Sequence, residues 1–453
     1  MPTSSSRIRQ IASTAALGSV SGVIRVLATL VTFPSLLSYL GQERFGLWLL
    51  SLSLMGLLGF AFSGTAGATI TEVSRSLQDP SKRSVRLAAT NATAIALVFG
   101  SICAIVGSIA CWQLDFARIF GLEAAVPRAE VNSLLLALSI LLGFGFPANV
   151  PKFVLIGMMQ GQTAYSIELV GIAVAAVSLL VAIHLQQSLA VLAVAFLGPQ
   201  YFLMIVGGGF KLYLNEVPIF SRAYFVRDKF LVMLHEGWKL ALGQASFAIA
   251  SHTDLTLISV VVGAAAAAPY GVAQRVFGVP IMFLSMGNDA LWPALAKADA
   301  NGESRWVRRA YLYTLITMAL TSMTAGIGIW FLYEPLTRLW LGTRVETDPL
   351  LLFGMAVYIV LTMVVHTTAT LLRSMEMTTV LTRALVAMML LNIPLSIAFI
   401  YLIGSPGAIW GTNISYIVCL VIPFVKIIPP LLSQREDSDD NRGNRKVSTS
   451  GVL

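Results

Sequence analysis

Stretches without Asp, Glu, Lys or Arg alternate along the chain with short charged breaks. A helix needs about 20 mostly apolar residues to cross a bilayer, and the pattern predicts twelve of them. In the first half they lie near 11–40, 45–71, 87–112, 131–157, 163–185 and 189–213. In the second half they lie near 238–262, 268–296, 308–333, 349–373, 380–403 and 408–430. Two stretches, Leu169–Phe210 and Ala384–Val425, are charge-free throughout, and each is long enough for two spans. Each is read as a hairpin, broken at His184-Leu185-Gln186-Gln187-Ser188 and at Gly404-Ser405-Pro406-Gly407.

The halves repeat weakly. Phe45-Gly46 opens the second helix and Tyr270-Gly271 the eighth; each helix is followed by a polar segment at a similar offset. Six helices per half give a parallel repeat about an axis along the membrane normal. The expected organisation is a first lobe at 1–214, a linker at 215–237, a second lobe at 238–432 and a disordered tail at 433–453. The fold class is all-α, polytopic and membrane-spanning.

Composition supports this reading. Of 453 residues, 57% are hydrophobic and 11% charged, less than half the charge a soluble protein carries. The net charge of +8 would point to nucleic acid in a soluble protein, but most of it lies in short loops, where it sets topology. With the N-terminus inside, 23 basic residues fall on inner segments and five on outer ones. Both termini are therefore expected in the cytoplasm, with outside turns at Gln42, Glu123, Gln187, Ala266, Arg344 and Ser405. Cys103, Cys111 and Cys419 all sit inside apolar stretches without a CxxC, so they read as packing residues. There is no GxxxxGK[ST], HExxH or metal-spaced His pair, hence no ATP site, metal or cofactor is expected. Asn91-Ala92-Thr93 and Asn413-Ile414-Ser415 match a glycosylation sequon but fall inside spans, where chance explains them.

Ionisable groups at membrane depth carry the functional signal, since each costs on the order of 2.5–3.5 kcal/mol to insert. Arg25 lies near the midplane of the first helix and reads as a cavity-facing cation. Asp254 and Arg275 flank the outside turn between the seventh and eighth helices at comparable depth and can pair, either as a fastening or as a functional couple. Asp289 lies near the inner boundary of the eighth helix, where snorkelling explains it. Glu168, near the inner end of the fifth helix, and His366, in the inner half of the tenth, are candidate proton relays; an interface Glu and a satisfied core His are the plainer readings.

The run Pro34-Ser35-Leu36-Leu37-Ser38-Tyr39-Leu40-Gly41-Gln42-Glu43-Arg44-Phe45-Gly46-Leu47-Trp48, followed by Asp254, Gly263, Tyr270-Gly271 and Arg275, resembles the polysaccharide and O-antigen flippases. These belong to the multidrug/oligosaccharidyl-lipid/polysaccharide exporter superfamily, and the resemblance extends to about residue 430. It implies two six-helix lobes around a central cavity that opens alternately to each side. It also implies a bacterial inner-membrane transporter, not an enzyme, for undecaprenyl-diphosphate-linked sugar units moved from the inner to the outer leaflet. Arg25 and Arg275 would then contact substrate, with Asp254, Glu168 and His366 in gating or ion coupling. The partners it admits are membrane lipid, a proton or sodium counter-ion and polysaccharide-assembly proteins around a monomer. The alternative on the same fold is an organic-cation antiporter, which would need carboxylates in the first lobe; Arg25 there favours an anionic substrate. A membrane-embedded polysaccharide enzyme is the third reading, disfavoured by the short outside loops.

Overall fold

A computed structural model describes residues 4–435, apart from 78, 80, 123–125, 290, 293, 294, 296, 297, 300, 343, 344 and 376. Side chains are described outside 4–16, 19, 60–65, 239, 240, 242–251 and 289. The expected turns at Glu123 and Arg344, the side chain of Asp289 and the tail beyond Arg435 lie outside these residues.

The described chain is helical, and its long helices follow the charge-free stretches. Ser4–Leu58 is one helical run broken at Gly41, whose φ of 70° is left-handed and therefore suits glycine. We label its arms α1 (4–40) and α2, which continues through Gly59 to residue 76. Then come α3 (Arg83–Gln113), α4 (Arg128–Gly157), α5 (Gly161–His184) and α6 (Leu189–Leu214). The second half holds α7 (Arg227–Val261), α8 (Ala264–Asp289), α9 (Ser304–Leu341), α10 (Pro349–Ser374), α11 (Thr378–Ile403) and α12 (Pro406–Arg435). Nine helices among the described residues are long and apolar enough to cross a membrane. Both long charge-free stretches break where expected, at 185–188 and at 404–405.

The halves share an irregularity as well as an order. Met204–Gly208 in α6 and Ile417–Val421 in α12 are both single π-turns, each in the last helix of its half. A π-turn holds one residue more than an α-helix accommodates, so the same insertion recurs at the same place in each repeat.

Two compact units are present. The first comprises Met1–Ala268 with Trp340–Gly342, and the second the remainder. The division thus falls one helix later than the lobe boundary expected at 215–237. The reason lies in α7, which packs on α2 and α3. Gly56 of α2 faces the His252 imidazole so closely that a Cβ would lie 2.5 Å from the ring, and Ser53 donates to the His252 carbonyl. Helix α7 also starts at Arg227 instead of 238, because a charged prefix with Asp228 in its first turn extends it.

The first unit has its core between α3 and α4. Val85, Ala88, Ala89, Ala92 and Ile95 meet Leu142, Phe146, Val150 and Val154, all buried. Helix pairs in lipid rely on close packing of small residues; here Gly100 and Gly143 touch, and a Cβ on Gly100 would fall 2.2 Å from the Gly143 carbonyl oxygen. The short connection 215–226 is strapped to α3. Asn91, fully buried, donates to the Tyr224 carbonyl at 3.3 Å and accepts from the Val226 N–H at 3.3 Å. Thr93 donates to the Ile219 carbonyl at 2.6 Å. The sequon at 91–93 is thus a structural clasp.

Candidate functional site

In the first unit, α1, α4, α5 and α6 bring their polar residues to one place. Glu168 of α5 is the centre. Its Oε1 accepts from Arg25 Nη2 of α1 at 2.8 Å and from Lys152 Nζ of α4 at 2.8 Å. Its other oxygen, Oε2, is buried without a hydrogen-bond partner among the described residues. Arg25 Nη1 also donates to Gln200 Oε1 of α6 at 3.3 Å, and Gln200 is oriented by donating to the Phe196 carbonyl at 2.8 Å. Lys152 Nζ lies 5.2 Å from the centre of the Tyr165 ring, a cation–π contact that holds the ammonium without neutralising it.

Small residues make this convergence possible. A Cβ on Gly171 of α5 would lie 3.2 Å from the Gln200 Cα, and one on Gly18 of α1 3.1 Å from the Tyr165 ring. Both glycines let a neighbouring helix or ring come within reach of the cluster.

Two cations against one carboxylate leave the cluster with one net positive charge. The cations differ in access: the Arg25 side chain is 53% exposed, those of Lys152 and Glu168 only 17% and 13%. A guanidinium has five N–H donors, and described side chains take two of those on Arg25. The arrangement suits an anion approaching Arg25, with the half-buried Lys152 and Glu168 as support.

Lys152 was missed by sequence reasoning. It sits five residues from the end of α4, where a basic residue ordinarily marks the cytoplasmic side. The available signal was Glu168 itself, a carboxylate seven residues, or roughly 10 Å, into a helix, which requires a cation.

The other expected residues are distributed differently. His366 of α10 belongs to a hydrogen-bonded network in the second unit: its Nδ1 lies 2.8 Å from Asn288 Nδ2 of α8, which also donates to Thr370 Oγ1 at 3.0 Å. Asn288 is buried, and its Oδ1 has no hydrogen-bond partner among the described residues. Arg275 donates from Nη1 to the Gly271 carbonyl one turn earlier in α8, at 3.0 Å. Asp254 is buried in α7, in the first unit, whereas Arg275 belongs to the second. The aromatic-Gly step at 45–46 has a packing cause: a Cβ on Gly46 would fall 2.1 Å from the Ala264 carbonyl oxygen, which begins α8. No group of three or more His, Cys, Asp or Glu fit to hold a metal occurs among the described residues.

Comparison with solved structures finds the same fold. A multidrug resistance MATE family transporter of the MOP superfamily, in an inward-facing conformation, superposes with a TM-score of 0.75 at 16% identity, over 92% of this chain and 96% of that one. The lipid II flippase MurJ, in an inward closed conformation, gives 0.68 at 14% identity over 93% and 90%. An outward-facing MATE family transporter gives 0.63 at 17% identity over 96% of both chains. At these identities the likeness is one of fold. No curated protein matches the sequence at a significant level. The family model described as "Polysaccharide biosynthesis protein" matches residues 12–299, a span holding α2 to α8 whole and every member of the Arg25–Lys152–Glu168 cluster. The chain therefore belongs to the polysaccharide biosynthesis protein family, on the membrane-transporter fold that MATE proteins and MurJ share.

Proposed function

We propose that this protein is a flippase for lipid-linked oligosaccharide, carrying a sugar unit on an undecaprenyl diphosphate from the inner to the outer leaflet by alternating access. The observation that supports this is the charge of the first-unit cluster: Arg25, half exposed, and Lys152 share the single carboxylate of Glu168. A diphosphate entering a low-dielectric interior needs cations to replace its hydration, and a guanidinium matches phosphate geometry bidentately. The sugar rides in the aqueous cavity and the lipid tail stays in the bilayer. In this reading the working lobes are residues 1–214 and 238–432, in a bacterial inner membrane with both termini cytoplasmic. An organic-cation antiporter of this fold would need a carboxylate open to its substrate, whereas Glu168 already holds two cations.

Asp254 and Arg275 are proposed to pair in one state of the cycle and part in another, so that an arriving diphosphate competes with Asp254 for the cation. Asp254→Asn should then reduce export without lowering thermal stability. Equal losses of stability and export would reduce the pair to a fastening between α7 and α8.

The test of the main reading is translocation of a diphosphate-linked sugar in vesicles reconstituted with purified protein. Arg25→Ala should abolish it while leaving the protein folded and inserted, since losing a charge at membrane depth eases insertion. Arg25→Lys should restore only part, because the planar fork is gone. Full translocation by Arg25→Ala at normal protein levels would refute the assignment, and export of organic cations by the same vesicles would favour the antiporter.

A further inference from the structure

An apolar crevice of about 280 Å³ runs along the second unit between α9, α10 and α12. One end carries Arg308 beside Leu432, and the other is closed by Leu315, Val364 and Val421. The helix from Val421 to Leu432 is about 16 Å long at 1.5 Å per residue. That length matches one leaflet of hydrocarbon, half of a core about 30 Å thick.

The lining offers an occupant almost nothing polar along this length. Tyr311 and Thr368, the polar groups below Arg308, are hydrogen-bonded to each other at 3.0 Å, and Thr368 also donates to the Val364 carbonyl at 2.9 Å. Ile428 and Leu432 are buried to 3% exposure at the back of the crevice, while Leu312 and Val425 at its margins are 41% and 67% exposed. The crevice is therefore open sideways to whatever surrounds the helices, and what surrounds them is lipid.

The end at Arg308 has the opposite character. Arg305, Arg308 and Arg309 follow one another on the first turns of α9 without an acidic residue among them. All three are exposed. Trp306, 45% exposed between them, has the amphipathic ring that settles at headgroup level. A basic end at the interface over an apolar slot one leaflet deep has the shape and charge of an anionic phospholipid.

We propose that this crevice is a binding site for an anionic glycerophospholipid of the surrounding bilayer, its phosphate at Arg308 and one acyl chain between α9 and α12. The site is independent of what the transporter carries. Near a membrane surface each Lys or Arg contributes about 1 kcal/mol to attracting an anionic lipid, a factor of about five.

The experiment uses the full-length protein purified in detergent and offered phosphatidylglycerol or phosphatidylcholine with identical chains, with retained lipid counted by native mass spectrometry. The expected result is roughly fivefold greater retention of phosphatidylglycerol, lost in Arg308→Gln, whose exposed position leaves folding intact. Val421→Trp, filling the deep end, should lower retention of both lipids, and Leu315→Phe serves in its place if melting shows that the tryptophan disturbs the fold. Equal retention of the two lipids by the unmodified protein overturns the proposal, as does an undiminished preference in Arg308→Gln. A lipid-free dimer would also overturn it, marking the crevice as a contact between two copies of the chain.

Discussion

Helices α5 and α6 and their counterparts α11 and α12 hold the same places in the two halves, yet different chemistry holds them. Where the second pair meets, the polar groups are neutral and buried. Asn392 donates to Thr412 at 2.8 Å and to Ser415 at 3.4 Å, and Ser396 donates to the Ala408 carbonyl at 3.2 Å. Backbones meet there: a Cβ on Gly411 would lie 2.5 Å from the Ser396 Cα. In the first pair the contact is looser, 3.2 Å for the same test at Gly171, and the polar residues on its flank are charged. One half is therefore built for fixed packing, and the other holds charges that a ligand can compete for. The same scaffold serves both because a neutral hydrogen bond in lipid fixes two helices, whereas an ion pair with surplus charge stays responsive.

The sharpest way to break this contrast is Glu168→Gln. It leaves Arg25 and Lys152 without a carboxylate; removing one partner of a fully buried pair costs about 3 kcal/mol, and the part-buried Lys152–Glu168 pair should lose a share of that. Thermal melting in detergent should show the loss, and Glu168→Gln/Lys152→Met should recover most of it. If the double variant is no more stable than the single one, the two cations do not depend on Glu168.

A smaller effect is expected in the neutral pair. Gly411→Ala forces α11 and α12 apart and should cost about 2 kcal/mol as overpacking, with translocation per folded molecule unchanged. Gly171→Ala should cost less than half of that, since its neighbour needs to give by only a few tenths of an ångström. Equal costs at the two glycines would erase the difference in packing.

The smallest effect lies outside the membrane. Asp79 accepts from the N–H and hydroxyl of both Ser81 and Ser84 ahead of α3, and these bonds hold its carboxyl well below the usual range. A folded value below the unfolded one, about 3.9, means that the bonds contribute fully above the unfolded value. Their contribution fades as pH falls below it, toward the folded value. Amide exchange at Ser81 and Ser84 should thus stay protected from pH 7 down to about 4. Asp79→Ala should lose that protection at every pH, and loss of protection in the unmodified protein already at pH 5 would contradict the arrangement.

Much of the fold was legible because charge is scarce: a stretch without Asp, Glu, Lys or Arg and twice a span in length has to turn, and His184–Ser188 and Gly404–Gly407 hold the polar and glycine residues to do it. Arg25 and Glu168 stood out for the same reason. Lys152 did not, because near a helix end a lysine that sets topology and one that serves a site look alike in sequence. Nor did the start of α7 at Arg227, where charges that ordinarily mark a loop continue a helix beyond the apolar stretch. The packing of α7 in the first unit depends on Gly56 making room for His252, a fit of shapes between positions far apart in the chain. Asn91 looked like an accident within a span because its partners are backbone groups of a connection with no apolar pattern.

The π-turn at 417–421 sets the phase of everything after it. Deleting one residue there would restore ordinary helical winding and rotate the rest of α12 by about 100°. Phe424, Ile428 and Leu432, now turned inward, would swing round toward the acyl chains, and exposed neighbours such as Val425 and Lys426 would turn with them. A single surplus residue, held as one wide turn, thus keeps the final stretch of the helix in register with the unit it completes.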